Sequence, residues 1–129
     1  MKKSVLAIVL VGICVVATAI ANVNAAVKPE KGILIGTVIE LSTYTMTGDM
    51  VANLEAAKSR AEHGFPVALI EEETGTLWIL VFRSTAPASH METANEKVQE
   101  FMGMKVVMQG LKYENEGVHL IRLSVISEY

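Results

Sequence analysis

Cysteine is nearly absent from this 129-residue chain, which contains a single one, Cys14. That residue lies inside an apolar N-terminal run, and the rest of the sequence has no thiol. A mature chain that lacks Cys14 forms no disulfide and offers neither a thiol nucleophile nor a thiolate metal ligand. We therefore expect its fold not to depend on the oxidation state of its surroundings.

Basic residues are also scarce. The chain has 11 lysines and arginines against 14 acidic residues, and loss of Lys2 and Lys3 with a leader leaves a formal net charge of −5. This balance lacks the electrostatic signature of proteins that bind nucleic acid or anionic membranes. We expect no nucleic-acid partner.

Catalytic motifs are missing as well. Ser89 and His90 are adjacent, but no nucleophile-elbow pattern surrounds them, and adjacency in sequence does not bring a base to a hydroxyl. The glutamates at 71–73 flank a turn, where charge normally serves solvation and keeps strand ends from pairing with other chains. No glycine-rich phosphate loop is present. We predict that the protein is not an enzyme.

A long hydrophobic run occurs only at the N-terminus. There, Lys2 and Lys3 precede a continuous apolar stretch at residues 5–21, which small and polar residues follow. This three-part layout is that of a secretory signal peptide. Small residues at the positions that a signal peptidase reads predict cleavage after Ala25, with an earlier alternative after Ala21.

This leader determines the domain organisation and the location that we expect. Residues 1–25 form the signal peptide, residues 26–31 a short tether and residues 32–129 one folded domain in the periplasm or outside the cell. The apolar stretch approaches the roughly 20 residues needed to cross a bilayer, so an uncleaved anchor is the alternative. Only in that case do we expect contact with a membrane.

The first half of the domain predicts a strand, a helix and a β-hairpin. Residues 32–42 are rich in β-branched side chains and form the first strand, with Gly36 as a bend or a point of close approach. Apolar residues at helical spacing, including Met50, follow between a capping Thr47 and a terminating Gly64. Two strands then flank a turn at Gly75.

The second half predicts a short helix and a second hairpin. Thr93 and Glu96 form a capping box, Gly103 ends the helix, and two strands with a bend at Gly110 follow. The resulting order, β-α-β-β-α-β-β, matches the mainly β, five-stranded Greek-key barrel called the OB-fold, with the first helix inserted between strands one and two. A five-stranded open sheet with two helices on one face is the alternative.

The quoted elements also resemble a known group of proteins. The runs "GTVIELSTY", "HGFPVALIEEETGTLWIL" and "GMKVVMQGLKYENEGVHLIRLSVI" are similar to small exported bacterial OB-fold domains of unknown function that carry a helix between strands one and two. Members often have Cys and His residues before and within that helix. The matching positions here are neither thiols nor imidazoles, so no such site is carried over: Thr43, Asn53, Ala56 and Arg60.

Histidine and methionine side chains are the candidate metal ligands. Imidazole and thioether groups suit Cu(I), and His63, His90 and Met91 are the side chains that we nominate. His63 precedes Gly64, however, where it is also expected to cap the helix C-terminus. His119 alternates with apolar residues of the last strand and is expected either at the end of the barrel or in solvent. No cofactor is therefore predicted, and copper is the alternative.

A small number of aromatic residues suggest a ligand or partner face. Trp78, Phe82 and Tyr113 lie on strands or strand ends that OB barrels use for binding, and stacking needs only an exposed ring. Both faces of the third strand are apolar, however, so one must be covered. We expect the inserted helix to lie over the Trp78 face.

These observations favour a non-catalytic exported module over an enzyme. We expect it to act in binding or assembly through protein–protein contacts, with another envelope protein or with itself. The alternative is a periplasmic metal-binding or small-ligand-binding protein that uses histidine and methionine side chains.

Overall fold

The computed structural model of the chain describes residues 26–82 and 93–129. Within them the chain forms five strands, three α-helices and one 3₁₀ turn. In chain order these are β1 (Glu30–Glu40), α1 (Leu41–Thr47), α2 (Leu54–Glu62), β2 (Val67–Glu71), β3 (Leu77–Val81), α3 (Ala94–Val98), the 3₁₀ turn (Gln99–Phe101), β4 (Lys105–Asn115) and β5 (Val118–Glu128).

The strands close into a barrel in the order β1-β2-β3-β5-β4, and β4 pairs back onto β1. All neighbouring strands are antiparallel except β3 and β5, which are parallel. This is a closed five-stranded Greek-key barrel with helices before β2 and before β4, so the predicted fold class is confirmed.

The insertion between β1 and β2 contains two helices where the sequence predicted one. α1 follows β1 without a loop because the Glu40 carboxylate caps it, accepting hydrogen bonds from the amides of Ser42 and Thr43. Thr47 ends α1 and does not cap α2, which begins after Asn53 without a side-chain cap. Glutamate is outside the usual set of N-cap residues, so α1 has no start signal that sequence patterns reveal.

Two strand glycines lie where the sequence predicted bends. A Cβ atom on Gly36 would overlap the Ile70 carbonyl oxygen of β2, and one on Gly110 would overlap the Arg122 carbonyl oxygen of β5. The β4–β5 register also shifts beside Gly110. Glycine is required at both places because the backbone of the neighbouring strand lies where a side chain would begin.

The barrel has two different ends. At the helix end, where β1 finishes and β2 begins, Ala57 and Ala61 of α2 and Val98 of α3 are buried in the core. At the hairpin end lie the β2–β3 and β4–β5 turns. Met50, which the sequence placed among the helically spaced apolar residues of the inserted helix, precedes α2 and is 41% exposed.

Candidate functional site

At the hairpin end, the inward-facing side chains change from aliphatic to polar and aromatic. Strand alternation directs one residue or more from each strand toward this end of the barrel. The side chains are those of Glu71 of β2, Trp78 of β3, Lys112 and Glu114 of β4, and His119 of β5. The β1 residue is Gly32, which has no side chain and leaves room for that of Lys112.

Trp78 is the centre of this group and is only 2% exposed. Its indole Nε1 donates a hydrogen bond of 3.2 Å to Glu71. The Lys112 Nζ atom lies 4.6 Å from the Trp78 ring centroid, and the His119 ring meets Trp78 edge-on at 5.0 Å. These contacts fix the indole inside the barrel and place a cation and an imidazole against it.

Among the described side chains that are not exposed, His119 carries the one buried polar atom without a hydrogen-bond partner. Its Nδ1 atom is buried without a hydrogen-bond partner, and the nearest carboxylate oxygen, on Glu114, is 3.6 Å away. The His119 side chain is 29% exposed, so its ring reaches solvent through other atoms. The expectation that this residue lies at the end of the barrel is confirmed. An unsatisfied buried nitrogen costs about 1–3 kcal/mol, so its retention calls for an explanation.

A groove opens beside His119 where the barrel seam parts. β3 and β5 pair from Ile79 with Leu120 to Val81 with Arg122, and the described residues that precede Ile79 and Leu120 in these strands are not paired with each other. The resulting space of about 430 Å³, which we call the seam groove, has apolar walls with one hydroxyl and one imidazole. Its lining residues are Thr76, Leu77, Ile79, Gly117, Val118 and His119.

The rim of the seam groove is acidic. The two hairpins that supply its lining also carry the exposed carboxylates of Glu73, Glu114 and Glu116. Glu114 lies 3.8 Å from the Lys112 ammonium. Glu73 and Glu116 form no ion pair with any residue that the structure describes. The groove therefore offers apolar walls beneath a negative rim.

A second surface, which we call the basic face, lies on the outer side of β1, β4 and β5. Cross-strand register places its side chains in three adjacent rows. Ile33 and Val125 in the central row are 64% and 56% exposed. The rows contain two cations and no carboxylate: Lys31, Leu111 and Arg122; Ile33, Gln109 and Val125; Ile35, Val107 and Ser127.

The three aromatic residues nominated from the sequence do not share a surface. Trp78 lies inside the barrel, Phe82 packs against the core with the Lys97 ammonium 5.3 Å from its ring, and Tyr113 points outward from β4. Burial of Trp78 was expected, but the prediction that the inserted helix covers it is wrong. The barrel interior encloses this ring itself, whereas α2 and α3 lie at the opposite end.

The nominated metal ligands fall in separate places. His63 ends α2, as expected for a cap residue, and its Nδ1 atom donates to the Ser59 carbonyl oxygen at 2.7 Å. His90 and Met91 lie outside the described residues. In residues 26–82 and 93–129, no three or more His, Cys, Asp or Glu side chains are grouped to hold a metal ion.

The helix end contains a buried carboxylate that sequence reasoning missed. The Glu40 side chain accepts hydrogen bonds from the amide and hydroxyl of both Ser42 and Thr43, at 2.5–2.9 Å. The Arg60 guanidinium lies 3.7 Å from it and donates to both hydroxyls. Burial alone raises the pKa of Glu40, but the hydrogen bonds outweigh it and hold the pKa below its ordinary value of 4.5.

A buried amide ties the helices together at the same end. Asn95 of α3 donates hydrogen bonds to the carbonyl oxygens of Ala61 and Phe65, at 2.8 and 2.7 Å. The preceding Thr93 hydroxyl accepts the Glu96 amide, as the predicted capping box requires. Glu40 and Asn95 are therefore structural residues, and the surfaces available for recognition lie elsewhere.

Comparison with known proteins gives no match to a family model, a curated protein or a solved structure. In the part of the chain that the structure describes, no helix is long and apolar enough to cross a membrane.

Proposed function

We propose that the protein is a non-catalytic exported module that acts through protein–protein contacts in the periplasm or at the cell surface. The basic face is the observation that carries this proposal. It exposes more than half of Ile33 and of Val125, which lie on either side of Gln109 in one row of the sheet, with Lys31 and Arg122 in the adjacent row. Contiguous apolar area rimmed by polar groups is typical of surfaces that bind other proteins.

The position of Trp78 inside the barrel supports the same proposal. Stacking of a sugar or a base requires an exposed ring, and the Trp78 ring is enclosed by the barrel. The outward residues of β3 are aliphatic, namely Leu77, Ile79 and Val81. Such a surface favours contact with apolar side chains of a partner.

The test is native mass spectrometry of the tagged protein isolated gently from its own host's envelope. The wild-type protein is expected in an assembly larger than one chain, and the double variant Ile33→Ser, Val125→Ser is expected to lose that assembly. Met46→Ser, which alters an equally exposed apolar residue of α1, is the matched control and should retain it. An assembly unchanged in the double variant, or a wild-type protein found only as single chains, would contradict the proposal.

A second candidate function is the binding of a small ligand or a metal ion. The unsatisfied Nδ1 atom of His119 beside the seam groove favours a small ligand, because buried polar atoms without partners often mark a missing partner. Copper bound through His63, His90 and Met91 is the metal form of this candidate. The same mass spectrum tests both, since a bound ligand or copper ion adds mass, and His90→Ala with Met91→Ala should remove copper alone.

A further inference from the structure

The seam groove and the basic face carry opposite charges. Lys31 and Arg122 are the charged residues in the three rows of the basic face, and neither forms an ion pair within the described residues. Glu73, Glu114 and Glu116 are exposed carboxylates in or beside the turns of the two hairpins that form the groove, where the exposed Glu72 is already paired with Lys105. Two copies of either surface facing each other would bring like charges together, whereas one surface facing the other pairs them.

Their shapes and apolar content also complement each other. The basic face is the convex outside of the barrel, and Ile33 and Val125 project from it. The seam groove is concave, and its apolar walls include Leu77 and Val118. Val118 is 57% exposed, so the groove has apolar area that this fold does not cover.

We propose that copies of this chain associate head to tail, with the basic face of one copy seated in the seam groove of the next. This inference rests on the proposed function, of which it names the partner. Ile33 and Val125 of one copy contact the groove walls of its neighbour. Lys31 and Arg122 approach the acidic rim, and the neighbour's own basic face stays free.

Separation of the two surfaces makes the association open-ended. The two surfaces use different parts of β5, the groove at Val118 and His119 and the basic face from Arg122 to Ser127. Three residues of strand, about 10 Å, separate His119 from Arg122. Because different surfaces meet, each added copy leaves one groove and one face unoccupied at the ends. Such heterologous contacts produce rings if the rotation closes and filaments if it does not.

Sedimentation velocity of the purified protein over a range of concentrations tests the inference. The wild-type protein is expected to grow beyond dimers as its concentration rises, and added salt should weaken the association. Reversal of the groove charges by Glu73→Lys with Glu116→Lys should weaken self-association by roughly tenfold or more. Reversal of the face charges by Lys31→Glu with Arg122→Glu should weaken it similarly.

Mixing the two variants gives the decisive result. One variant then has a basic groove and a basic face, and the other has an acidic groove and an acidic face. Neither is expected to associate alone, but an equimolar mixture should form assemblies in which the two alternate. Glu62→Lys with Glu100→Lys is the control, because it makes the same change in net charge at exposed sites on the helix end and should associate as the wild type does.

Three outcomes would overturn the inference. The first is a wild-type protein that stays monomeric at every concentration. This holds even if its groove proves to bind a different, basic protein. The second is a groove variant that still forms dimers, because the basic face would then pair with itself. The third is a mixture that stays monomeric. If the purified protein is monomeric but its envelope assembly depends on Ile33 and Val125, the head-to-tail inference fails while the proposed function stands.

Discussion

The two ends of the barrel are closed in different ways. At the helix end, all four buried polar residues of the described chain take part in hydrogen bonds: Glu40, Thr43, Thr93 and Asn95. At the hairpin end, the His119 Nδ1 atom has no partner and the strands part to form a groove. This difference indicates that the helix end stabilises the fold, whereas the hairpin end leaves apolar surface and a polar atom available for contact with another molecule.

The largest expected effect is at the helix end. Glu40→Ala removes the acceptor of four hydrogen bonds at the start of α1 and leaves Arg60 without its carboxylate. Because Arg60 is 39% exposed and can be hydrated, we expect a loss of about 3 kcal/mol in the free energy of unfolding. Thermal unfolding should show a fall in Tm of roughly 12–20 °C.

The control for this prediction is Glu62→Ala, which removes an exposed glutamate at the end of α2. It should change the free energy of unfolding by less than about 0.5 kcal/mol, as is usual for surface substitutions. Equal effects of the two substitutions would show that the Glu40 network does not stabilise the barrel.

The second effect, also at the helix end, is expected to be somewhat smaller. Asn95→Ala removes one donor from the Ala61 carbonyl oxygen, which keeps the Gly64 amide, and removes the side-chain donor of the part-buried Phe65 carbonyl oxygen. We expect a loss of about 2 kcal/mol in the free energy of unfolding, because two hydrogen bonds worth about 1 kcal/mol each are lost. Chemical denaturation gives the value, and an unchanged midpoint would mean that α3 is held by apolar packing alone.

Acid should weaken the same end. The pKa of Glu40 is lowered in the folded protein, so ionised Glu40 stabilises the fold above its ordinary pKa of 4.5. That contribution is lost as the pH falls from 4.5 through the lower folded pKa. Tm measured against pH should therefore fall more steeply below pH 4.5 for the wild type than for Glu40→Gln. Parallel curves would contradict an ionised Glu40.

The smallest expected effect is at the hairpin end. His119→Phe replaces an imidazole that has an unsatisfied buried nitrogen with an apolar ring that can keep the edge-on contact with Trp78. We expect the free energy of unfolding to change by no more than about 1 kcal/mol, in the direction of greater stability. A large loss would show that His119 holds the fold, and the contrast between the ends would then disappear.

Much of the barrel was predictable because its signals are local. Alternating apolar residues predicted the strands, Gly75 and Gly117 have the positive φ of their turns, and the Thr93 capping box predicted α3. Glycine within a strand pattern also indicated the close backbone approach at Gly36 and the register shift at Gly110. Each of these depends on residues close to one another in the sequence.

The candidate surfaces depend on contacts between distant residues. Arg60 reaches Glu40 across the insertion, and the cap of α1 is a glutamate that no propensity favours. The seam groove exists because β3 and β5 part before Ile79, and the basic face because register aligns Ile33 with Val125 through Gln109. Periodicity shows which residues face outward but not which of them become neighbours.

The short parallel pairing of β3 with β5 also bears on the order of folding. Within the described residues it joins three residue pairs, although Ile79 and Leu120 are far apart in the chain. The β1–β4 pairing also joins distant residues but forms eight residue pairs. Bringing distant residues together costs loop-closure entropy, which only the contacts formed afterwards can offset. The distant pairing that forms the fewest contacts should therefore form last. By the same reasoning it should open first, and hydrogen exchange of the β5 amides beside Ile79 should be faster than exchange of those that face β4. Pairing of β3 with β5, which forms the inner wall of the seam groove, would then be the final step of folding. An assembly that uses the groove could form only after the barrel has closed.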